Sequence, residues 1–229
     1  MTVNTTSQQP EEVQGGEQNG VSNIPALKLT REAAEPMHAS SIKVSLWIVP
    51  SGETYNLLQN QINTLSEVHK TPTFEPHVTL VSGVDLNPNK IPNIMLKLRE
   101  AFTGFGSIPC IVDRSKGIVA AGYDAETKEC KWNQSTVAIL ERDEQIIKAV
   151  HLARDLLLGV RVEHEDEDLL FKPPLNEPHL SLAYCNNPLG QHVKVIPEDF
   201  YSKEIKLVVT DPSTLQGVSS WMEVGKFSL

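Results

Sequence analysis

A six-residue pattern occurs twice in this chain and constrains its fold more than any other feature. Glu75-Pro76-His77-Val78-Thr79-Leu80 and Glu177-Pro178-His179-Leu180-Ser181-Leu182 share the order Glu, Pro, His, aliphatic, hydroxyl, Leu, and their histidines are 102 residues apart. Side chains of a strand alternate between its faces, so each copy presents an imidazole and a hydroxyl on one face. Proline is tolerated at the first residue of a strand, so Pro76 and Pro178 predict where each strand begins, near an edge of the sheet.

Apolar periodicity elsewhere predicts a mixture of helices and strands in one folded domain. Several predicted strands follow one another without a crossover helix, which favours antiparallel pairing and an α+β fold over a doubly wound parallel sheet. Residues 1–40 are polar and lack a sustained apolar period, so they predict a disordered tail before a domain at 41–229. Strands are predicted at 44–49, 108–112, 117–121, 132–140, 205–209 and 221–227, and amphipathic helices at 55–65, 91–102 and 146–157.

Composition excludes several classes of protein. The 20 Lys and Arg against 29 Asp and Glu give a net charge of -9, which disfavours a grip on an extended nucleic acid. Cys110, Cys130 and Cys185 form no CxxC pair and leave an odd count, which predicts a reduced compartment, the cytosol. No segment approaches the roughly 18 apolar residues of a membrane span. No Cys/His cluster has zinc-site spacing, so we expect no metal and no cofactor. We also expect a monomer.

Hydrolysis of a cyclic phosphodiester needs the groups that the repeat supplies. Water must lose a proton as it attacks phosphorus while the departing ribose oxygen gains one, so the site needs one neutral and one protonated imidazole. Histidine, with a pKa of about 6.5, provides both forms. Hydroxyl donors stabilise the charge on the non-bridging oxygens in the transition state. The repeat therefore predicts His77 and His179 as an acid–base pair and Thr79 and Ser181 as phosphate donors.

The paired H-x-[ST] motifs, about a hundred residues apart, resemble those of the 2H phosphoesterase superfamily. Val44-Ser45-Leu46-Trp47, the segments 74–79 and 178–182, and Tyr184 are similar to the fungal and plant cyclic phosphodiesterase branch of that superfamily. The resemblance covers residues 42–229. It implies two pseudo-symmetric α+β lobes with antiparallel sheets flanked by helices and a catalytic cleft between them.

The resemblance also implies an activity and a role for each site residue. Members of that branch hydrolyse ADP-ribose 1'',2''-cyclic phosphate to ADP-ribose 1''-phosphate, downstream of tRNA splicing, and nucleoside 2',3'-cyclic phosphates to 2'-phosphates, without a metal. By analogy His179 is the base toward water, His77 is the acid toward the leaving oxygen, and Thr79, Ser181 and Tyr184 hold the phosphate. Strict alternation would turn Tyr184 away from His179, so a bulge or strand end must turn it back. Fungal relatives also suggest Golgi association.

Two other functions compete with hydrolysis of a small cyclic phosphate. An enzyme of the same superfamily that processes RNA 2',3'-cyclic ends or 2',5'-linkages needs a basic groove, which the net charge disfavours. A module that only binds a phosphorylated ligand has no need for two groups of near-neutral pKa.

Other residues are interpreted as structural. Glu75 and Glu177 are set aside as solvated loop residues. Cys185 is expected to be buried, and Trp47 and Phe74 to lie in the core, although either could stack on a base. The acidic loop at 163–168 is expected to be exposed and suits a lid. The remaining histidines are expected on the surface or on helices: His38, His69, His151, His164 and His192.

Overall fold

The computed structural model describes residues 41–120, 134–159, 171, 175–186, 189, 193 and 196–229. The predicted disordered tail at 1–40 and the acidic loop at 163–168, which was predicted to be exposed, lie outside these residues. Cys130 and three histidines, at positions 38, 164 and 192, lie outside them as well.

Within the described residues the chain forms nine strands and three α-helices. The strands are β1 (Ile42–Val49), β2 (Val78–Leu86), β3 (Ile108–Cys110), β4 (Ile118–Val119), β5 (Gln134–Ile139), β6 (His179–Tyr184), β7 (Phe200–Ser202), β8 (Glu204–Val209) and β9 (Met222–Ser228). The helices are α1 (Gly52–His69), α2 (Ile91–Ala101) and α3 (Glu144–Leu158). Each predicted helix is confirmed, and every predicted strand has a counterpart.

Local signals set the ends of α3. The helix begins after Asp143, whose carboxylate accepts a hydrogen bond from the N–H of Gln145 at 2.7 Å and so satisfies a free donor of the first turn. It ends at Gly159, which has a φ of 66° that glycine adopts without strain. Ile146, Ala149, Val150 and Ala153 are buried along one face of the helix, the face that the apolar period predicts.

The α+β prediction is confirmed. Seven of the strands form one sheet in the order β4-β5-β6-β2-β1-β8-β9, and its strand pairs are antiparallel. The sheet consists of two antiparallel halves, β4-β5-β6 and β2-β1-β8-β9, which meet where Val78 of β2 pairs with Leu180 of β6. The two copies of the repeat therefore lie side by side at the junction between the halves.

The main core lies on one face of this sheet, which leaves the other face for a site. Along β1, Leu46 and Ile48 belong to the main core, whereas Trp47 and Val49 belong to a separate cluster. Apolar side chains from all three helices join the main core, among them Leu58, Leu98 and Ile146. The alternation of β1 thus separates a face packed by helices from a face on which other side chains are available.

Two features of the sheet differ from the sequence-based expectation. The repeat does not lie near an edge of the sheet, because β2 and β6 are both interior strands. Pro76 lies before the first residue of β2 and Pro178 before that of β6, so neither ring removes a hydrogen bond from within these strands. The short strand β7 was not predicted; it pairs with β3 in a separate two-stranded sheet.

Candidate active site

The pairing of β2 with β6 brings the two histidines and two hydroxyls of the repeat onto one patch. Val78 pairs with Leu180 in an antiparallel register, so His77 comes beside Ser181 and Thr79 beside His179. Residues directly opposite each other have Cβ atoms about 4.5–5.5 Å apart, and diagonal neighbours such as the two histidines about 7–8 Å. Val78 and Leu180 point to the main core, so these four residues share the opposite face.

Each imidazole is held by the carbonyl group of the residue two positions before it. Nδ1 of His77 lies 2.6 Å from the Glu75 carbonyl oxygen, and Nδ1 of His179 lies 2.8 Å from the Glu177 carbonyl oxygen. A carbonyl oxygen only accepts, so in both rings Nδ1 donates its N–H. The lone pair of the neutral ring is therefore on Nε2, the atom left for proton transfer with a ligand.

Both histidines have lowered pKa values. Burial lowers the pKa of His77 to about 4, the Glu75 carbonyl opposes this shift, and the positive charge of a protonated His179 lowers the pKa further. Burial also lowers the pKa of His179, against the opposing effect of the Glu177 carbonyl. The two rings are thus close enough to sense each other's charge, and in the free protein the neutral form of each is favoured.

A β-bulge follows the hydroxyl residue in both copies of the repeat. On β6, Val137 pairs with Ser181 but Thr136 pairs with Ala183, which leaves one extra residue on β6. The extra residue turns Tyr184 to the face of Ser181, and the Tyr184 hydroxyl donates to Oγ of Ser181 at 3.2 Å. The expectation that a bulge or a strand end turns Tyr184 back to this face is confirmed, and the structure has the bulge.

On β2, one extra residue likewise follows the hydroxyl residue Thr79. Trp47 pairs with Thr79 and Leu46 pairs with Val81, so the next residue, Ser82, returns to the face of Thr79. Ser82 therefore occupies on β2 the position that Tyr184 occupies on β6. The structural repeat thus extends beyond the six residues of the sequence repeat.

Aromatic rings enclose the His77 side of the patch. The Trp47 ring stacks on the His77 ring with centroids 3.6 Å apart and planes inclined by 9°. Phe74 contacts His77 edge-on at 6.0 Å and Tyr184 at 4.6 Å, and Tyr184 contacts Trp221 at 5.5 Å. Trp47 and Phe74 are buried, as expected. Trp47 also has a role that the sequence did not indicate, because its stacking holds the His77 ring in place.

A cavity of about 90 Å³ lies next to Trp47. Its walls include Trp47, Phe74 and Trp221, with the carboxylates of Glu75 and Glu223. Neither histidine lines it. The cavity therefore adjoins the patch and is distinct from it.

Two glutamates that the sequence analysis set aside as solvated are held in ion pairs. The Glu75 carboxylate lies 2.5 Å from Nζ of Lys206. The Glu177 carboxylate lies 2.8 Å from Nζ of Lys116 and 3.0 Å from Nε of Arg142. The interpretation as solvated residues was wrong because the partner cations come from distant parts of the chain, which no local pattern reveals.

The other residues singled out in the sequence lie on helices, in a strand or just after a strand. His69 is the last residue of α1 and His151 lies within α3, as expected for ordinary helix residues. Cys185 was expected to be buried but is only partly so, and it directly follows the last residue of β6. Cys110 is buried, and that burial raises the pKa of its thiol. Across the described ranges, no three His, Cys, Asp or Glu side chains are grouped so that they could hold a metal ion.

The site combines two imidazoles and two hydroxyls on one face, which is the arrangement that the repeated motif predicts. The profile of the family described as cyclic phosphodiesterase-like protein matches residues 42–224. This chain therefore belongs to the cyclic phosphodiesterase-like family.

Individual proteins show more distant similarity. A curated 2',3'-cyclic-nucleotide 3'-phosphodiesterase of Kluyveromyces lactis is 27% identical over 148 residues, which cover 62% of this chain and 64% of the relative. The match thus spans less than two thirds of that relative. Escherichia coli LigT in its apo form is 14% identical, with a TM-score of 0.49 over 83% of this chain and 98% of LigT. Kluyveromyces marxianus Usb1 is 12% identical, with a TM-score of 0.39 over 80% of this chain and 98% of Usb1.

Among the described residues, no helix combines the length and the apolar character needed to cross a lipid bilayer.

Proposed function

We propose that this protein hydrolyses small cyclic phosphates, namely ADP-ribose 1'',2''-cyclic phosphate to the 1''-phosphate and nucleoside 2',3'-cyclic phosphates to 2'-phosphates, downstream of tRNA splicing. The observation that carries this proposal is the Val78–Leu180 pairing, which sets two imidazoles and two hydroxyls on one face. Membership of the cyclic phosphodiesterase-like family supports the reaction class. The name of the Kluyveromyces lactis relative supports 2',3'-cyclic nucleotides as substrates. The odd cysteine count and the absence of a CxxC pair support a cytoplasmic location.

In this mechanism the two histidines move one proton each. His179 takes a proton through Nε2 from the water that attacks phosphorus, and His77 gives one to the ribose oxygen whose bond to phosphorus breaks. Burial disfavours the protonated form of His77 in the free protein, so this direction requires the bound phosphate anion to raise the pKa of His77. The stacked Trp47 ring acts in the same sense because an aromatic face attracts a cation.

Thr79 and Ser181 are proposed to donate to the phosphate group, and Tyr184 is proposed to help hold the phosphate through Ser181. Hydroxyls beside the two imidazoles would donate to the non-bridging oxygens, on which charge increases as water attacks. The Tyr184 hydroxyl donates to Oγ of Ser181, and this contact leaves the Ser181 proton free to point at the phosphate.

The substrate class is tested by comparing turnover of a 2',3'-cyclic mononucleotide, ADP-ribose 1'',2''-cyclic phosphate and a short oligoribonucleotide with a cyclic end. Because the chain is acidic, we expect kcat/KM at least about tenfold higher on the small substrates than on the oligonucleotide. ³¹P NMR should identify the nucleotide product as the 2'-phosphate. Preference for the oligonucleotide would favour the RNA-end reaction, and saturable binding without turnover would favour a phosphate-binding module.

Loss of the Ser181 hydroxyl should reduce catalysis more than loss of the Tyr184 hydroxyl. Ser181→Ala removes a direct donor to the phosphate, so kcat should fall by about 10²-fold. Tyr184→Phe removes only the group that orients Ser181, and about a tenfold decrease is expected. Tyr201→Phe is the matched control, because Tyr201 is 61% exposed and lies on β7. Equal activity of Ser181→Ala and the wild type would exclude this role for Ser181.

A further inference from the structure

The orientation of each imidazole depends on the backbone of a glutamate. His77 donates to the Glu75 carbonyl and His179 to the Glu177 carbonyl. Only one residue separates donor and acceptor in each case, and it is a proline whose ring fixes φ. The position of the glutamate backbone therefore determines both the direction of the imidazole plane and the tautomer that it adopts.

The Glu75 backbone is tied to the sheet through its own side chain. Its carboxylate contacts Nζ of Lys206 on β8, and that ammonium group also lies 3.0 Å from the Glu223 carboxylate on β9. Lys206 is only 8% exposed, so water screens this pair less than it screens a surface pair. The segment before His77 is thus attached to β8 directly, and to β9 only through the shared ammonium group of Lys206.

The Glu177 backbone is held by different cations in the other half. Lys116 and Arg142 both contact its carboxylate, and Nη2 of Arg142 donates to the Asn176 carbonyl at 2.6 Å. Partial burial raises the pKa of Glu177, but the hydrogen bonds from Lys116 and Arg142 lower it more, so the carboxyl group stays ionised. The segment before His179 is therefore anchored at both its side chain and its main chain.

Both glutamates are held by ion pairs, and their partner cations come from different elements of the fold. In one half the cation comes from β8, and in the other the cations come from the loops before β4 and α3. Ion pairs contribute little to stability where one partner is exposed, as Lys116 is. Their recurrence directly before both histidines points to a role in the geometry of the site.

We propose that Glu75 and Glu177 are positioning residues, whose ion pairs hold the two carbonyl acceptors so that both imidazoles keep the Nδ1–H tautomer and direct Nε2 to the substrate. This role in catalysis rests on the proposed function. The tautomer itself is a property of the free protein and is measured without substrate.

The test compares Glu75→Gln and Glu177→Gln with Asp85→Asn. The control removes the same charge from an exposed ion pair with Lys43 at the far end of β2. ¹⁵N NMR of the histidine rings should report the Nδ1–H tautomer for both residues in the wild type and in the control. Each Glu→Gln variant should show a mixture of tautomers for its own histidine only.

Kinetics supply a second readout. Each Glu→Gln variant should lower kcat by about tenfold with little change in KM, which is the lower end of the range seen when partners that orient metal-binding histidines are removed. The control should retain wild-type kcat. If Glu177→Gln does not fold, Lys116→Met removes one of the two cations from an exposed position and should show a smaller change of the same kind.

The outcomes separate this inference from the proposed function. Unchanged ring tautomers and unchanged kcat in both Glu→Gln variants would overturn the inference, even with an active wild-type enzyme. A wild-type protein that hydrolyses no cyclic phosphate would overturn the proposed function, while a variant-specific change of tautomer would still support the positioning role.

Discussion

Replacing His77 or His179 with alanine is expected to lower kcat/KM for a 2',3'-cyclic mononucleotide by about 10³-fold. A positioned general acid or base contributes on the order of 10²- to 10⁴-fold, and each variant loses one of them. Both rings act in the same step, so the double variant should be little worse than either single variant. Initial rates over a range of substrate concentrations, followed by separation of the products, measure the effect.

The controls must separate loss of chemistry from loss of fold. His77 is 2% exposed and stacks on Trp47, so alanine leaves a gap in the packing. His77→Asn fills more of that space and should be as inactive as His77→Ala. His151→Ala, on α3, should keep wild-type activity. A folded His77→Asn or His179→Ala variant with more than about a tenth of wild-type kcat/KM would contradict the acid–base assignment.

The free energy of unfolding should decrease as the pH falls from about 7 to about 4, and His77 should account for about 3 kcal/mol of this decrease. Its pKa is about 4 in the folded protein and about 6.5 in an unfolded chain. Between these pH values the unfolded chain binds more protons, so acid favours unfolding. Above about pH 6.5 both states are neutral at His77 and the contribution is zero. Burial of His179 acts in the same direction.

Urea unfolding of the wild type and of His77→Asn across this pH range measures the contribution. The stability difference at about pH 8 reports the changes in packing and in the hydrogen bond to the Glu75 carbonyl, because His77 is neutral in the folded and unfolded states there. As the pH falls, the wild type should lose its advantage over the variant by about 3 kcal/mol. Parallel curves for the two proteins would show that His77 is not buried in its neutral form.

Much of the site could be predicted because its signals are local. The repeat indicates where two strands start. Because side chains alternate between the faces of a strand, it also indicates which side chains of each copy share a face. The same reasoning shows that Tyr184 needs a bulge or a strand end to face the site. The three amphipathic helices follow from apolar spacing, and Gly159 indicates where α3 ends.

The unpredicted features all depend on contacts between distant residues. The ion pairs of Glu75 and Glu177 join positions 131 and 61 residues apart in the chain, with Lys206 and Lys116. The stacking of Trp47 on His77 joins β1 to the start of β2. The interior position of β2 and β6 depends on the order of the strands, which periodicity does not encode.

By itself, the sequence determined which residues we propose for the chemistry, because the duplicated imidazole and hydroxyl are present in the chain whatever its path. It also determined the helices and most strands, whose apolar periods reflect the local geometry of the backbone. Only the tertiary structure decided that Val78 pairs with Leu180, that a bulge follows each hydroxyl, and that cations hold both glutamates. These features depend on which strands meet and in which register, and register is selected by the burial of whole faces rather than by any short segment.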